Sequence, residues 1–293
     1  MTATLWAALS GVGFGLFQTL NGRAVRELDS PYVSTFLQLL IASVILGGAA
    51  LVTEDPAELL HLRVSTLAIL ALAGLVHFLG GWTMLNLSHG RIGAARTSPL
   101  LAMTPLFGLF FAAIITGVVP GWPALLGIAL TVAGAYAVAE PRITGAGTAP
   151  RDSVFGIGTA IAWALGAVLT AEGLKRFDSA LLGVTVGVVT ATLAYGLVLL
   201  AIRAPLREVT ADRPALALKL SAGVLVALAT WARWIALEDI AIAVVLALQL
   251  ISVPVVLILA SVTAGAWAEA VSARVWTGAG LVIGGGLVLL LGT

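Results

Sequence analysis

Long apolar runs alternate with short polar breaks along the whole chain. The runs fall at about 4–26, 31–53, 64–86, 92–117, 122–140, 153–174, 179–202, 214–237, 240–265 and 275–292. Each is close to the ~20 residues that a helix needs to cross a ~30 Å hydrocarbon slab at 1.5 Å per residue. The breaks hold residues that stop and start helices: Asp29 and Pro31, Asp55 and Pro56, Pro120 and Pro123, Asp212 and Pro214. Residues 141–152, with Gly145, Gly147 and Pro150, form the longest polar stretch and lie at mid-chain. No Lys or Arg precedes the first run and no small-residue cleavage site follows it, so it reads as a span and not as a signal peptide. The pattern predicts an all-α membrane protein with ten transmembrane helices.

The runs also repeat. A shift of 149 residues places Asp29 and Ser30 on Asp178 and Ser179, Gly47 on Gly196, and Pro56 on Pro205. The same shift places Ala73 and Gly74 on Ala222 and Gly223, Trp82 on Trp231, and Pro105 on Pro254. With two more residues, Gly127, Leu130 and Gly134 fall on Gly278, Leu281 and Gly285. Alanine and leucine matches carry little weight in so apolar a chain. Tryptophan, proline and aspartate are scarce here, and one register collects them. Two halves are expected, residues 1–149 and 150–293. Five crossings is an odd number, so the second half begins at the opposite face. The halves then form two inverted five-helix repeats around a central cavity, related by a pseudo-twofold axis in the membrane plane. Such a pair supplies two similar gates, one at each face, with the solute site near the midplane.

Composition narrows the function. Apolar residues make up 60% of the chain and charged ones 10%, against about 25% charged in ordinary soluble domains. That excludes a soluble enzyme, a nucleic-acid binder and a disordered chain. A net charge of +1 offers no field for nucleic acid. With no cysteine, disulfides and thiolate metal sites are absent. There is no His-Glu-x-x-His helix, Gly-x-Ser-x-Gly elbow or glycine-rich phosphate loop, and His61, His77 and His89 are scattered in sequence. Neither a metal nor another cofactor is expected. An intramembrane enzyme is the reading from a different class, and no motif argues for it.

Polar groups at mid-span are the informative ones, because lipid penalises them unless they face a partner or a wet cavity. Phe14, Gln18 and Asn21 recur at i, i+4 and i+7 and share one helix face. In the 149-residue register Trp163 takes the place of Phe14 and Thr170 that of Asn21. The two aromatics should approach the pseudo-twofold axis together and form a ring-stacking wall. His77, with Phe78 beside it, is the central titratable group. Gln249 and Ser252 share a face just before Pro254, Ser98 and Pro99 precede Pro105, and Gln38 is a further cavity candidate. Pro105 and Pro254 each remove a backbone donor, so they can bend a helix, gate it, or offer a carbonyl to solute. Helix packing is the alternative account of every one of these residues. Trp82 and Trp231 lie nearer span ends and read as interface anchors or packing residues. Arg96 and Arg233 read as snorkelling to headgroups, with binding of a carboxylate as the alternative, and Glu172, Glu238, Asp239 and Glu269 as solvated. The pairs Gly11/Gly15, Gly183/Gly187 and Gly280/Gly284 are expected to serve packing within the monomer.

Together these residues resemble the drug/metabolite transporter superfamily in its ten-helix EamA form. The shared features are the proline in the fourth helix of each half (Pro105, Pro254), a glutamate after that helix in the second half (Glu269, within Ala266-Trp267-Ala268-Glu269), and a glycine-rich last helix in each half. Residues 117–120 of the first half lack the glutamate. Within the superfamily the chain is most similar to bacterial aromatic amino acid exporters of the YddG type. The resemblance implies an alternating-access exporter of small amphipathic metabolites in the bacterial inner membrane, with aromatic or hydrophobic amino acids preferred. Its partners are then an amino acid-like solute and membrane lipids, and it works as a monomer. With no carboxylate at mid-membrane, facilitated diffusion is expected, with His77-dependent proton coupling as the second option. Other metabolites or cationic drugs are the alternative cargo. Odd-numbered connections hold 11 of the 15 basic residues, among them Arg23, Arg26, Arg91, Arg142, Arg203, Arg207 and Lys219. By the positive-inside rule those connections are cytoplasmic and both termini periplasmic.

Overall fold

The computed structural model describes residues 2–116, 121–139, 150–201, 213–240, 242–262 and 271–291. Glu269, Arg142, Arg203, Arg207, Pro120, Pro205 and most of the central polar stretch lie outside the described residues. Every regular element among the described residues is helical.

Helix α1 (Thr2–Leu28) stops where Asp29 adopts a left-handed backbone, φ 48°. Asp tolerates that conformation better than most residues. Ser30 then caps α2 (Pro31–Thr53), its hydroxyl accepting from the Val33 N–H, and Pro31 occupies the first turn, where its missing N–H costs nothing. This turn is the Asp-Ser-Pro break seen in the sequence. After one helical turn, α3 (Glu58–His61), the chain enters α4 (Val64–Gly74), passes through a π-helical segment (Leu75–Gly81) and continues as α5 (Trp82–Ile92). The third apolar helix therefore runs to residue 92, six residues past its expected end. It stops at Gly93, whose φ of 79° suits glycine.

The fourth run is two short helices, α6 (Ala94–Leu101) and α7 (Thr104–Thr116), followed by α8 (Trp122–Ala139). In the second part of the chain come α9 (Val154–Leu174), α10 (Ala180–Ala201) and α11 (Arg213–Asp239). A second broken pair follows, α12 (Ile242–Gln249) and α13 (Ser252–Val262), and then α14 (Ala273–Leu291). Seven of these helical stretches are long and apolar enough to cross a membrane, and residues 122–138 and 273–288 form shorter apolar helices. Large apolar side chains such as Val44, Leu51, Val52, Leu193, Leu197 and Leu200 are exposed on their outer faces. Such a surface suits lipid and not water.

Helix pairing links the two parts of the chain. α1 packs along α11 and against the broken pair α12 and α13. α9 packs along α4, the π segment and α5, and against the broken pair α6 and α7. α2 pairs with α10, and α8 with α14. Glycines set the closest approaches. A Cβ at Gly134 would lie 2.6 Å from the Gly278 carbonyl oxygen, and one at Gly285 would lie 2.7 Å from that of Gly127. Gly11 and Gly15 meet the backbone of α12 and α13, and Gly187 meets Gly74, as packing within the chain requires. Gly280 and Gly284 differ from expectation: no atom lies within 4 Å of a Cβ built at either. Their face of α14 is open, so internal packing does not explain that pair.

Candidate functional site

Two polar-aromatic zones lie inside the bundle. The first is at mid-depth. A small cavity of about 30 Å³ is lined by Phe14 of α1, Trp163 of α9, Thr104 and Pro105 of α7, and Gln249 and Ser252 at the second helix break, with Leu101, Ala102, Leu246 and Leu250 between them. Five residues singled out in the sequence thus share one cavity. The Phe14 and Trp163 ring centroids are 5.7 Å apart and tilted by 51°. On its other side Trp163 stacks on His77, with centroids 5.5 Å apart and planes within 15°. His77 meets Phe78 edge-on, and Phe78 meets Trp82 edge-on. Phe14 is also edge-on to Phe17. Each contact lies in the range where aromatic pairs attract. Together they form a row of six rings crossing α1, α9, the π segment and the start of α5.

The backbone makes room for this row. A Cβ at Gly81, inside the π segment, would sit 2.8 Å from Trp163 Cδ1, and one at Gly166 would sit 2.8 Å from the His77 Cβ. The π turn itself re-aims His77 and Phe78 relative to a straight α-helix. His77 Nε2, Trp163 Nε1 and Trp82 Nε1 are buried with no hydrogen-bond partner among the described residues. Buried polar atoms of this kind usually have partners, and of the three only Trp163 belongs to a residue that lines the cavity.

The helix breaks flank the cavity on both sides. At the first, Met103 N donates to Leu100 O, a tighter bond than the helical kind. At the second, Leu250 N donates to Ala247 O and Ile251 N to Leu248 O, again three residues back. Both prolines come just after their break, in the first turn of the new helix, and not at the bend itself. The placement follows from proline's preference for a helix's first turn. The carbonyl that Pro105 leaves without a backbone donor, Leu101 O, accepts from the Thr104 hydroxyl at 2.6 Å. Leu250 O, the corresponding carbonyl for Pro254, accepts from Val253 N. Near the second break Gln249 Nε2 donates to Ser10 Oγ at 3.3 Å, and Ser10 donates to Ala229 O at 2.8 Å.

The other candidates lie elsewhere. Phe78 is fully buried behind His77 and supports the row without lining the cavity. Gln18, Ser98 and Thr170 are buried and do not line the cavity, and among the described residues neither Gln18 Oε1 nor Ser98 Oγ has a partner. Trp82 is wholly buried, which makes it a packing residue and not an interface anchor. Arg233 is 2% exposed and does not snorkel.

Asn21 and Gln38 belong to the second zone, which the sequence did not reveal. There Lys219 is fully buried in α11 and donates from Nζ to Gln38 Oε1 at 2.8 Å and to Asn21 Oδ1. Asn21 Nδ2 donates to Asn86 Oδ1 at 2.7 Å and to His89 Nδ1 at 3.0 Å. Asn86 Nδ2 donates to Thr35 Oγ1 at 2.8 Å, and Thr35 donates to Pro31 O. The positive-inside count places Lys219 with a connecting loop. Pro214 at the helix start places it about two turns inside α11, the signal that would have exposed it. Among the described residues no group of His, Asp and Glu is arranged to hold a metal ion.

Comparison with known proteins agrees with a membrane carrier. Residues 1–139 match the EamA-like transporter family. That family points to a membrane transporter of small molecules and away from an enzyme, and with the long apolar helices it makes the chain a multi-pass membrane protein. A solved structure titled only as the crystal structure of a protein shares the fold: TM-score 0.63, 18% identity, covering 97% of this chain and 96% of its own. Among curated proteins, none matches the chain.

Proposed function

We propose that this protein carries small amphipathic solutes, aromatic or hydrophobic amino acids above all, out of the cell by alternating access. The observation that carries the proposal is the cavity between Phe14 and Trp163, bounded by two helix breaks. Indole and the adjoining phenyl ring stack an aromatic side chain, while Gln249, Ser252, Thr104 and the carbonyls at the breaks receive polar ends. The cavity is mostly apolar with a few placed polar groups, as small-molecule sites generally are.

Alternating access needs two equivalent halves, and the packing supports that reading. Ser43 and Thr192 are 149 residues apart, the repeat interval, and their hydroxyls share a hydrogen bond of 2.7 Å. Contact between a residue and its own repeat partner is what a twofold axis passing nearby produces. The glycine pairs of α8 and α14 obey the same rule: Gly127 meets Gly285, and Gly134 meets Gly278, with both pairs exchanged by the shift that aligns the last helices. α1 lies against α11 as α9 lies against α4 and α5. We therefore read the fold as two inverted five-helix halves, 1–149 and 150–293, in a bacterial inner membrane. No carboxylate lines the cavity, so movement down the solute gradient is the simplest energetics.

Purified protein in liposomes tests this directly. Labelled tryptophan or phenylalanine is expected to equilibrate across the membrane faster with protein than without it. Equal rates would remove the proposal.

A further inference from the structure

The Lys219 zone has an unusual balance of charge and hydrogen bonds. A lysine that is 0% exposed normally sits against a carboxylate. Here both recorded partners of its Nζ are neutral amide oxygens. Nζ carries three N–H bonds, so one is left over. Gln38 spends its oxygen on Lys219, and its buried Nε2 has no acceptor. The Asn21 amide nitrogen can only donate, so His89 Nδ1 accepts from it and the proton sits on Nε2. That Nε2 is buried and also has no acceptor. Asn21, Asn86 and Thr35 pass their donors outward in sequence toward Pro31 O, leaving no idle oxygen in the chain. Spare donors of Lys219, Gln38 and His89 therefore gather around Asn21 and Gln38. The nearest idle acceptor on the Asn21 face is Gln18 Oε1, one turn closer to the cavity.

The repeat supplies a control. The residues 149 positions from this zone are Leu70 for Lys219, Thr170 for Asn21, Val184 for Thr35, Gly187 for Gln38, Ile235 for Asn86 and Glu238 for His89. Leu70 and Val184 are fully buried in an apolar cluster. The equivalent packing position is therefore satisfied by dry side chains, and building the fold does not require the lysine. Four of the six polar positions are apolar or glycine in the other copy, the lysine among them, and a polar set that packing does not require points to a ligand. Asn21 is seven residues beyond Phe14 on the same face of α1, ~10 Å further along the helix. The zone thus lies between the aromatic cavity and the end of the bundle where α1 stops and α11 starts.

We propose that Lys219 is the counter-ion for a carboxylate on the transported solute. Asn21 Oδ1 and Gln38 Oε1 occupy the carboxylate's place while that end of the bundle is closed. The spare N–H groups of Lys219, Gln38 and His89 meet the incoming oxygens, and Gln18 Oε1 is placed to accept from an ammonium. The inference rests on the transport reading and sharpens it: the solute class is carboxylate-bearing, and cations lacking an acid are excluded because a buried ammonium repels them.

The test uses three indole compounds. Tryptophan carries both charges, 3-indolepropionate carries the carboxylate alone, and tryptamine the ammonium alone. In proteoliposomes, unlabelled 3-indolepropionate is expected to compete with labelled tryptophan and tryptamine is not. Lys219→Gln is expected to raise the tryptophan KM about tenfold or more, the scale of one charge-assisted hydrogen bond. Lys219→Arg should stay within a few-fold of the parent. Equal competition by tryptamine, or a Lys219→Gln KM within twofold of the parent, overturns the proposal. Thermal stabilisation of the unmutated protein in detergent by the same compounds needs no variant and no transport. There 3-indolepropionate is expected to raise Tm and tryptamine to leave it unchanged, and equal shifts or none from either overturn the Lys219 assignment. Absence of tryptophan uptake combined with carboxylate-selective stabilisation would instead count against the transport reading alone.

Discussion

Trp163 touches rings from two other elements, and neither contact is local in sequence: Phe14 comes from α1 and His77 from the π segment. Its indole therefore holds the wall of the cavity and also presents an unpartnered Nε1. Trp163→Ala is expected to raise the tryptophan KM several-fold, since a stacked pair contributes about 0.5–1.5 kcal/mol beyond area burial. Trp163→Phe keeps a ring and should recover most of that loss, and proteoliposome uptake compares the two. Gly81 is the reason the indole fits, because any Cβ there would strike it. Gly81→Leu should lower stability by about 1–3 kcal/mol, the usual cost of overpacking. A detergent melt reads it, and an unchanged Tm would mean that the indole has another place to go.

Among the elements, the broken helices and the pair α8 and α14 show how small residues control contact. At the breaks, short-range hydrogen bonds replace helical ones, and Thr104 serves the carbonyl that Pro105 cannot. α8 and α14 meet through glycines whose missing Cβ atoms let backbone reach backbone. Gly285→Val is expected to separate these helices and destabilise the protein by about 1–3 kcal/mol. Gly284→Ala, one residue earlier on the open face, should leave Tm unchanged or raise it slightly, because alanine favours helix over glycine. Equal effects from both would contradict the observed facing of α14.

For the molecule as a whole, the pairing of α2 with α10 is the most direct handle on the proposed relation between halves. The chain has no cysteine, so S43C with T192C introduces a pair into a clean background. The parent hydroxyls are 2.7 Å apart, close enough for mild oxidation to link the two halves. After cleavage at a protease site placed within residues 141–149, the halves should stay together until reduced, as a gel would record. Separation without reductant would refute the pairing. Orientation is a second question at this scale. Moving Lys219 and Arg233 from loops or headgroups into the interior removes one basic residue from each side of the count, so the bias survives. A reporter fused after the C-terminal residue is expected to be periplasmic; a cytoplasmic signal would reverse the assignment.

Helix positions were legible in the sequence because lipid length and helix rise fix the spacing of apolar runs, and Pro, Asp and Gly mark their ends. The Asp29–Ser30–Pro31 turn and the whole of α2 fall where the pattern puts them. Half of the cavity was legible too, since Phe14 and Trp163 occupy matching repeat positions and meet. The π segment was not, because a one-residue widening of a helix leaves no mark in hydropathy. The Lys219 zone was not either. Its members come from α1, α2, α5 and α11, and a lone lysine beside an apolar run looks like a loop charge until the neighbouring helices close over it. Sequence alone decided which segments are apolar helices and where they turn. Which polar groups those helices bury together depends on rotation and packing between distant segments, and only the tertiary structure sets that.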